Sequence, residues 1–282
     1  AGRQVTQIFS AFCKRQVKMD DERGWIIPDW SECGVELPRI RAMTTTRSGL
    51  PGVSRPPFDS FNLATHVGDL SGDVALNRQA LRQFLPAEPL WLEQVHGVGV
   101  VSADDDEPPA GVISLPPVAD ACISRQPGRV CAIMTADCLP VLLAARDGSV
   151  VAAAHAGWRG LAAGVIEATM TAMGVPPAGL VAWLGPAIGA RAFEVGDEVR
   201  AAFCRQDAAA SQAFLAHAEN KWLADLAWLA RRRLSLLGVS PSATGGGRWC
   251  TFSDPQRFYS YRREGVTGRM ATMIWITDPD SD

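Results

Sequence analysis

Two histidines and a cysteine carry the strongest chemical signal in this chain. Only four histidines occur among 282 residues, His66, His96, His155 and His217, together with seven cysteines. His96-Gly97 breaks a valine-rich run, His155 closes an alanine-rich one, and Cys138 follows Asp137 inside the longest apolar run, Val130 to Ala145. Two imidazoles and one thiolate suit zinc, and three protein ligands leave a fourth position for water, which is the catalytic rather than the structural arrangement. Asp120 and Asp137 are the carboxylates available to orient a ligating imidazole. Gly157-Trp158-Arg159-Gly160, between a strand pattern and a helical one, reads as an anion site built on helix N–H groups and a guanidinium. No glycine-rich dinucleotide or P-loop pattern stands in a suitable place.

The same residues admit a second chemistry. Without metal, Cys138 would be a nucleophile and His155 its base, which describes a cysteine hydrolase or amidase. Multicopper oxidation fits poorly, because a blue-copper centre plus a trinuclear cluster consumes many imidazoles. Four histidines with no His-x-His pair do not supply them, although copper at the same three ligands could support weak phenol oxidation. A non-enzymatic binding module is the weakest reading, given His, Cys and Arg at strand ends.

The elements that must position these residues follow from period and punctuation. Val130–Ala145 and Ser149–Ala154 are apolar runs joined at Asp147-Gly148, a strong hairpin signal. A turn centred there pairs Pro140 with His155 and makes Cys138 and His155 diagonal neighbours on one face, roughly 7–8 Å apart. Strands are expected at 39–46, 91–102, 119–124, 180–184, 259–262 and 270–276. Helices are expected at 71–85, capped by Ser71 or Asp73, and at 161–173, 197–203 and 221–237, the last capped by Asn220. Arg231-Arg232-Arg233 reads as a solvated helix face. Residues 1–24 read as a flexible leader and 25–282 as a single domain.

Hydrophobic residues make up 47% of the chain and the net charge is −3. That balance gives no basic surface for nucleic acid. No run reaches the roughly 18 apolar residues of a membrane span, and no signal-peptide core is present. A cytoplasmic location is the resulting expectation. Scattered cysteines, odd in number and without a CxxC pair, argue against a disulfide framework.

Longer motifs then come into register. Thr45-Thr46-Arg47-Ser48-Gly49, Phe61 to Asp69 with Asn62 and His66, Asn77-Arg78, Gln94-Val95-His96-Gly97, Thr135 to Pro140, His155 to Gly160, Gly185 to Gly189, Tyr259 to Arg263 and Thr267-Gly268-Arg269 resemble the laccase-domain, or polyphenol-oxidase-like, family of bacterial purine nucleoside phosphorylases. The likeness runs from about residue 25 to 277. It departs at Leu50, where the family usually carries a second glycine. The resemblance implies an α+β fold, a four-layer α/β/β/α sandwich with mixed sheets like that of toxin deamidases. It implies one zinc ion on His96, Cys138 and His155, with Arg159 beside it as a catalytic residue and copper as an alternative occupant. It implies phosphorolysis of adenosine, inosine, guanosine and methylthioadenosine, with adenosine deamination beside it. Arg47, Asn62 and His66 then fall at the substrate. The partners are purine nucleosides and phosphate, and the chain is expected to be a monomer or weak homodimer. An amidase acting on a peptidoglycan precursor is the alternative substrate assignment.

Overall fold

The computed structural model describes residues 24–105 and 115–278. The expected leader, up to residue 23, and the end of the acidic loop at 104–109 lie outside the described residues. The strands are β1 (Ile40–Thr44), β2 (Val100–Ser102), β3 (Ala121–Ser124), β4 (Cys131–Thr135), β5 (Leu139–Ala145), β6 (Val151–Ala156), β7 (Leu180–Leu184), β8 (Glu194–Gly196), β9 (Phe214–Ala218), β10 (Lys221–Ala224), β11 (Thr244–Gly246) and β12 (Met270–Ile276). The helices are α1 (Ser71–Arg82), α2 (Trp158–Ala163), α3 (Val165–Met173), α4 (Asp197–Cys204), α5 (Leu226–Leu236) and α6 (Tyr261–Glu264). The chain is therefore a mixed α+β protein with three sheets among the described residues.

The largest sheet has the order β11-β7-β5-β6-β3-β2, parallel at both edges and antiparallel between. Every residue of β5 and β6 is buried, because α3 packs on this sheet as well as the small sheet β1-β12-β4. A strand covered on both faces shows a continuous apolar run rather than alternation. Truncating Leu142 or Leu143 in this layer to alanine costs about 2–5 kcal/mol. The small sheet alternates between two cores. Met43, Ala132, Ala271, Met273 and Trp275 join Trp25, Phe61 and Leu81 of α1, whereas Ile40, Ile133 and Ile274 join the core of the large sheet.

The hairpin has the expected register. Pro140 pairs with His155 and Leu139 with Ala156, and Gly148 takes the left-handed turn conformation at φ +72. Elsewhere the chain departs from the sequence pattern. The run 130–145 is two strands in two sheets, divided at Asp137, whose φ of +92 turns the chain from β4 into β5. Cys138 sits at that crossing. The segment 91–102 is a regular strand only at β2, with an isolated bridge from Glu93 to Val118 before it. His96 stands at φ +60, and the N–H groups of residues 95–97 bond the Asp120 carboxylate instead of a neighbouring strand.

The stretch 221–237 begins as β10 and becomes helical only where the Asp225 side chain caps Trp228 N–H; Asn220 lies in the preceding turn. The strand expected at 259–262 is not formed, because Ser260 caps α6 there. Gly164 divides the helix expected at 161–173, and α1 starts after Leu70 with no side-chain cap. The arginine run is tethered rather than solvated. Arg231 bonds the carbonyls of Thr244 and Gly246, Arg232 pairs with Asp207, and Arg233 bonds the Ala162 carbonyl and pairs with Glu167. The six described cysteines are free, and no described helix is long and apolar enough to cross a membrane.

Candidate metal centre

Three segments far apart in sequence meet at one point. His96 comes from a left-handed turn, Cys138 from the crossing between β4 and β5, and His155 from the penultimate position of β6. Their ligand atoms all lie within 4.8 Å of one another. Cys138 Sγ is 3.7 Å from His96 Nε2, and the two imidazole rings stand edge to face with centroids 4.7 Å apart. Zinc bonds of about 2.3 Å to sulfur and about 2.1 Å to nitrogen, at the tetrahedral angle, place those two atoms about 3.6 Å apart. The donor set and its spacing therefore fit a tetrahedral metal.

Asp120 organises the cluster from below, as its place in the sequence suggested. It is fully buried, and its carboxylate accepts the His155 Nδ1–H at 2.8 Å and the backbone N–H groups of His96 at 2.9 Å and Gly97 at 2.6 Å. That bond leaves His155 Nε2 for the metal. Burial alone would raise the Asp120 carboxyl, but these donors outweigh it and hold it below its ordinary value. Asp137 does not orient an imidazole. Its carboxylate accepts from Thr251, Ser260 and the Arg262 N–H, and so fastens the C-terminal segment against the crossing.

Electrostatics prepare the sulfur. Burial opposes ionisation of Cys138, yet the adjacent His155 and His96 bring the thiol down to about 6. Burial likewise opposes charging of His155, but the Cys138 and Asp120 charges lift it to about 9. In metal-free protein the pair is thiolate and imidazolium at neutral pH. Alkylation of Cys138 by iodoacetamide should therefore rise with a midpoint near pH 6 and level off by about pH 7. Cys33, pushed up to about 11 by burial, should not react in that range. A Cys138 midpoint near that of a free thiol would show that the imidazoles do not stabilise the charge.

Gly157, at the N-terminus of α2, closes the centre from the side. A Cβ there would lie 2.9 Å from Cys138 Sγ and 3.1 Å from His96 Cδ2. Its φ of −59 is open to any residue, so only the contact forbids a side chain. Gly157→Ala should weaken zinc retention against a chelator about tenfold or more while leaving the melting temperature of metal-free protein nearly unchanged. Equal zinc affinity in the variant would remove this role.

The fourth side of the centre opens on a cavity of about 490 Å³. His66, Arg159, Arg262 and Arg269 line it with the three ligands, and Asp137, already committed elsewhere, is the only carboxylate on the described wall. Arg159 is exposed, stands 4.5 Å from the Trp158 ring, and has no hydrogen bond or ion pair among the described residues. Partial burial and the nearby Arg269 and Arg78 hold His66 below its ordinary value, so it is neutral at pH 7. The structure thus brings His66, His96, Cys138, His155 and Arg159 to one cavity.

Arg47 and Asn62 are not on its wall. Arg47 is spent on the Asp59 carbonyl and on ion pairs with Asp59 and Glu264. Asn62 is fully buried; its amide bonds Asp69 and the Ala64 backbone, and its oxygen accepts the Arg269 N–H at 2.9 Å. Asn77 locks the same loop through Ser54 and the Asn62 carbonyl. Asn62 thereby supports Arg269, whose place on the wall the motif Thr267-Gly268-Arg269 did not disclose.

Residues 41–277 match the model of the multi-copper polyphenol oxidoreductase laccase family. A relative in Pseudomonas aeruginosa named purine nucleoside phosphorylase is 53% identical over 255 residues, 90% of this chain and 99% of its own length. Purine nucleoside phosphorylase YfiH of Escherichia coli is 51% identical over 254 residues, 89% of this chain and 98% of its own. Among solved structures, a Neisseria meningitidis protein is 44% identical with a TM-score of 0.81, covering 90% of this chain and 99% of that one. YlmD of Geobacillus stearothermophilus reaches a TM-score of 0.82 at 28% identity, covering 93% and 99%.

Proposed function

We infer the reaction from one premise, that the chain belongs to the multi-copper polyphenol oxidoreductase laccase family. We propose that it is a zinc-dependent purine nucleoside phosphorylase, with the metal on His96, Cys138 and His155. The observation that carries this reading is a three-ligand centre open to a cavity whose described wall holds three arginines and no uncommitted carboxylate. Such a cavity attracts an anion beside a Lewis-acid position. The relatives named purine nucleoside phosphorylase support phosphate as that anion and a purine nucleoside as the other substrate.

In phosphorolysis a phosphate oxygen bonds C1′ of the ribose. The C1′–N9 bond breaks with its electron pair going to the purine, which takes up a proton. Arg159, free and exposed, draws phosphate into the mouth, and neutral His66 hydrogen-bonds it there. Phe193 and Tyr261 on the same wall supply aromatic surface for the purine. Asp120 keeps His155 in one tautomer throughout. When bound, zinc supplies a Lewis acid and a water acidified toward neutrality.

A multicopper enzyme is not built here despite the family's name. His66, His96 and His155 are the histidines at the cavity, and His217 lies apart on β9 against Glu194. One geometric feature favours a second reading. Cys138, His155 and Asp120 also form a thiolate, imidazole and carboxylate series, with His155 Nδ1 2.8 Å from Asp120, as a cysteine hydrolase requires.

We also read residues 25–282 as one cytoplasmic catalytic domain, monomeric or weakly dimeric. Its layers, from α1 through the small and large sheets to α3, support the four-layer sandwich of the toxin-deamidase type.

The test uses untagged protein, with bound zinc and copper measured by mass spectrometry and adenosine assayed with and without phosphate. About one zinc per chain, with adenine and ribose 1-phosphate formed only when phosphate is present, is the expected result. Inosine accumulating without phosphate would instead assign deamination, on which the relatives' names are silent. Metal-free protein that leaves nucleosides untouched would move the assignment to Cys138 as a nucleophile.

A further inference from the structure

One buried carboxylate holds a wall of the cavity while standing next to a metal ligand. Asp137 is 8% exposed and takes φ +92 at the crossing from β4 to β5. Outside glycine such a conformation persists only where the surroundings fix it. Four hydrogen bonds do so here. The Asp137 carbonyl accepts the Ile188 N–H at 2.9 Å. Its Oδ1 accepts the Thr251 hydroxyl at 2.6 Å, and its Oδ2 accepts the Ser260 hydroxyl at 3.0 Å and the Arg262 N–H at 2.7 Å. Thr251 and Ser260 are fully buried, so water does not replace a lost acceptor there.

These bonds lead to the residues that face the ligand. Ile188, Tyr261 and Arg262 all line the cavity. The helix α6, which bears Tyr261 and Arg262, has only four residues and cannot keep its place unaided. It starts at Ser260, whose hydroxyl donates to Asp137 and accepts the Arg263 N–H at 3.3 Å. From that anchor the Arg262 guanidinium reaches the Glu194 carbonyl at 2.8 Å and stands 5.5 Å from the Phe193 ring. We propose that Asp137 is a positioning residue. It fixes the Tyr261–Arg262 wall against the adjoining ligand Cys138, and so aligns the purine end of the substrate with the metal. The assignment deepens the phosphorylase reading and rests on it for the identity of the ligand.

The experiment compares the zinc-loaded full chain with Asp137→Gly, Asp137→Asn and Ser260→Ala. Glycine takes φ +92 freely, so it keeps the crossing and removes only the carboxylate. Asparagine loses the same charge, yet its oxygen still accepts from Ser260 and Arg262 while its NH₂ donates to the Thr251 hydroxyl. The difference between the two variants therefore reads the bonds rather than the field. The adenosine Kd without phosphate should rise about tenfold or more in Asp137→Gly and at least threefold in Ser260→Ala. It should stay within about twofold in Asp137→Asn. Amide hydrogen exchange over residues 258–264 should quicken at least tenfold in Asp137→Gly and hold in Asp137→Asn. Zinc should remain near one ion per chain and the phosphate KM within about twofold, because His66 and Arg159 lie on other elements. Ser260→Ala carries the test if Asp137→Gly does not fold. Unchanged exchange and adenosine affinity in both Asp137→Gly and Ser260→Ala overturn the assignment, and so does an equal loss of affinity in Asp137→Asn. Zinc lost from Asp137→Gly also overturns it, since the carboxylate would then serve the metal ligand rather than the wall. Wild-type protein that neither binds nor cleaves adenosine, with exchange still set by Asp137, would keep Asp137 as the anchor of this wall and sink phosphorolysis.

Discussion

Cys138→Ala protein is expected to retain less than a tenth of a zinc ion per chain and to lose phosphorolysis by at least about a thousandfold. The change removes the only anionic ligand. Two neutral imidazoles on separate segments then face a divalent ion with little charge to offset its desolvation. Folding should survive. Cys138 is only partly buried, and His155 keeps its bond to Asp120 when the sulfur is lost. Cys138→Ala by itself cannot separate a metal enzyme from a cysteine nucleophile, so His96→Ala completes the test. His96 touches the sulfur at 3.7 Å but lies outside the His155–Asp120 series. Loss of zinc and activity in both variants supports the metal centre. Activity kept in His96→Ala and lost in Cys138→Ala would establish Cys138 as the nucleophile. Full phosphorolysis by metal-free Cys138→Ala protein would end both readings.

Asp120→Asn should be nearly as damaging, although it adds no volume and removes no ligand. The carboxylate accepts on both oxygens: His155 Nδ1 and His96 N on Oδ1, Gly97 N and Val95 N on Oδ2. An amide can accept on only one side. If its oxygen faces the histidines, its NH₂ opposes two backbone N–H groups, which costs about 1–3 kcal/mol for the orphaned donors. If it turns round, the NH₂ meets His155 Nδ1, and the proton moves to Nε2, where it blocks ligation. Either arrangement should weaken zinc binding by about 10–100-fold. A chelator competition and a thermal melt measure the two costs. Unchanged zinc affinity would mean that the bonds to Asp120 do not set the His155 tautomer.

Much of the centre is legible in the amino-acid sequence alone. The Asp147-Gly148 turn and the period of two set the hairpin register, and with it the diagonal relation of Cys138 to His155. Asp120 is legible as a carboxylate near the strand ends, but so is Asp137, and the sequence offers nothing to separate them. Asp137 is consumed by Thr251, Ser260 and Arg262, all more than a hundred residues away. The division of 130–145 into β4 and β5 is hidden because both pieces are buried on every side, so the apolar pattern runs through the break. The strand β10 is hidden for a related reason. Its four residues match the helical pattern that follows, and only the Asp225 cap marks the boundary. Arg47 and Asn62 stand behind the cavity wall rather than on it. Their motifs mark them as important, but a motif does not distinguish a residue that touches substrate from one that holds a wall.

The sequence by itself determined which atoms could ligate, the local turn that brings two of them together, and the family of the chain. Each of these depends on residue type and on spacing within a few dozen positions. Only the tertiary structure decided that β12 lies beside β4, and that pairing sets Arg269 on the cavity wall. It also decided which carboxylate serves the histidines and which cations remain free. Those outcomes depend on the pairing of buried strands more than a hundred residues apart. Such strands are uniformly apolar, so their partners are chosen by packing and by where each polar group finds its hydrogen bond, neither of which is written in local pattern.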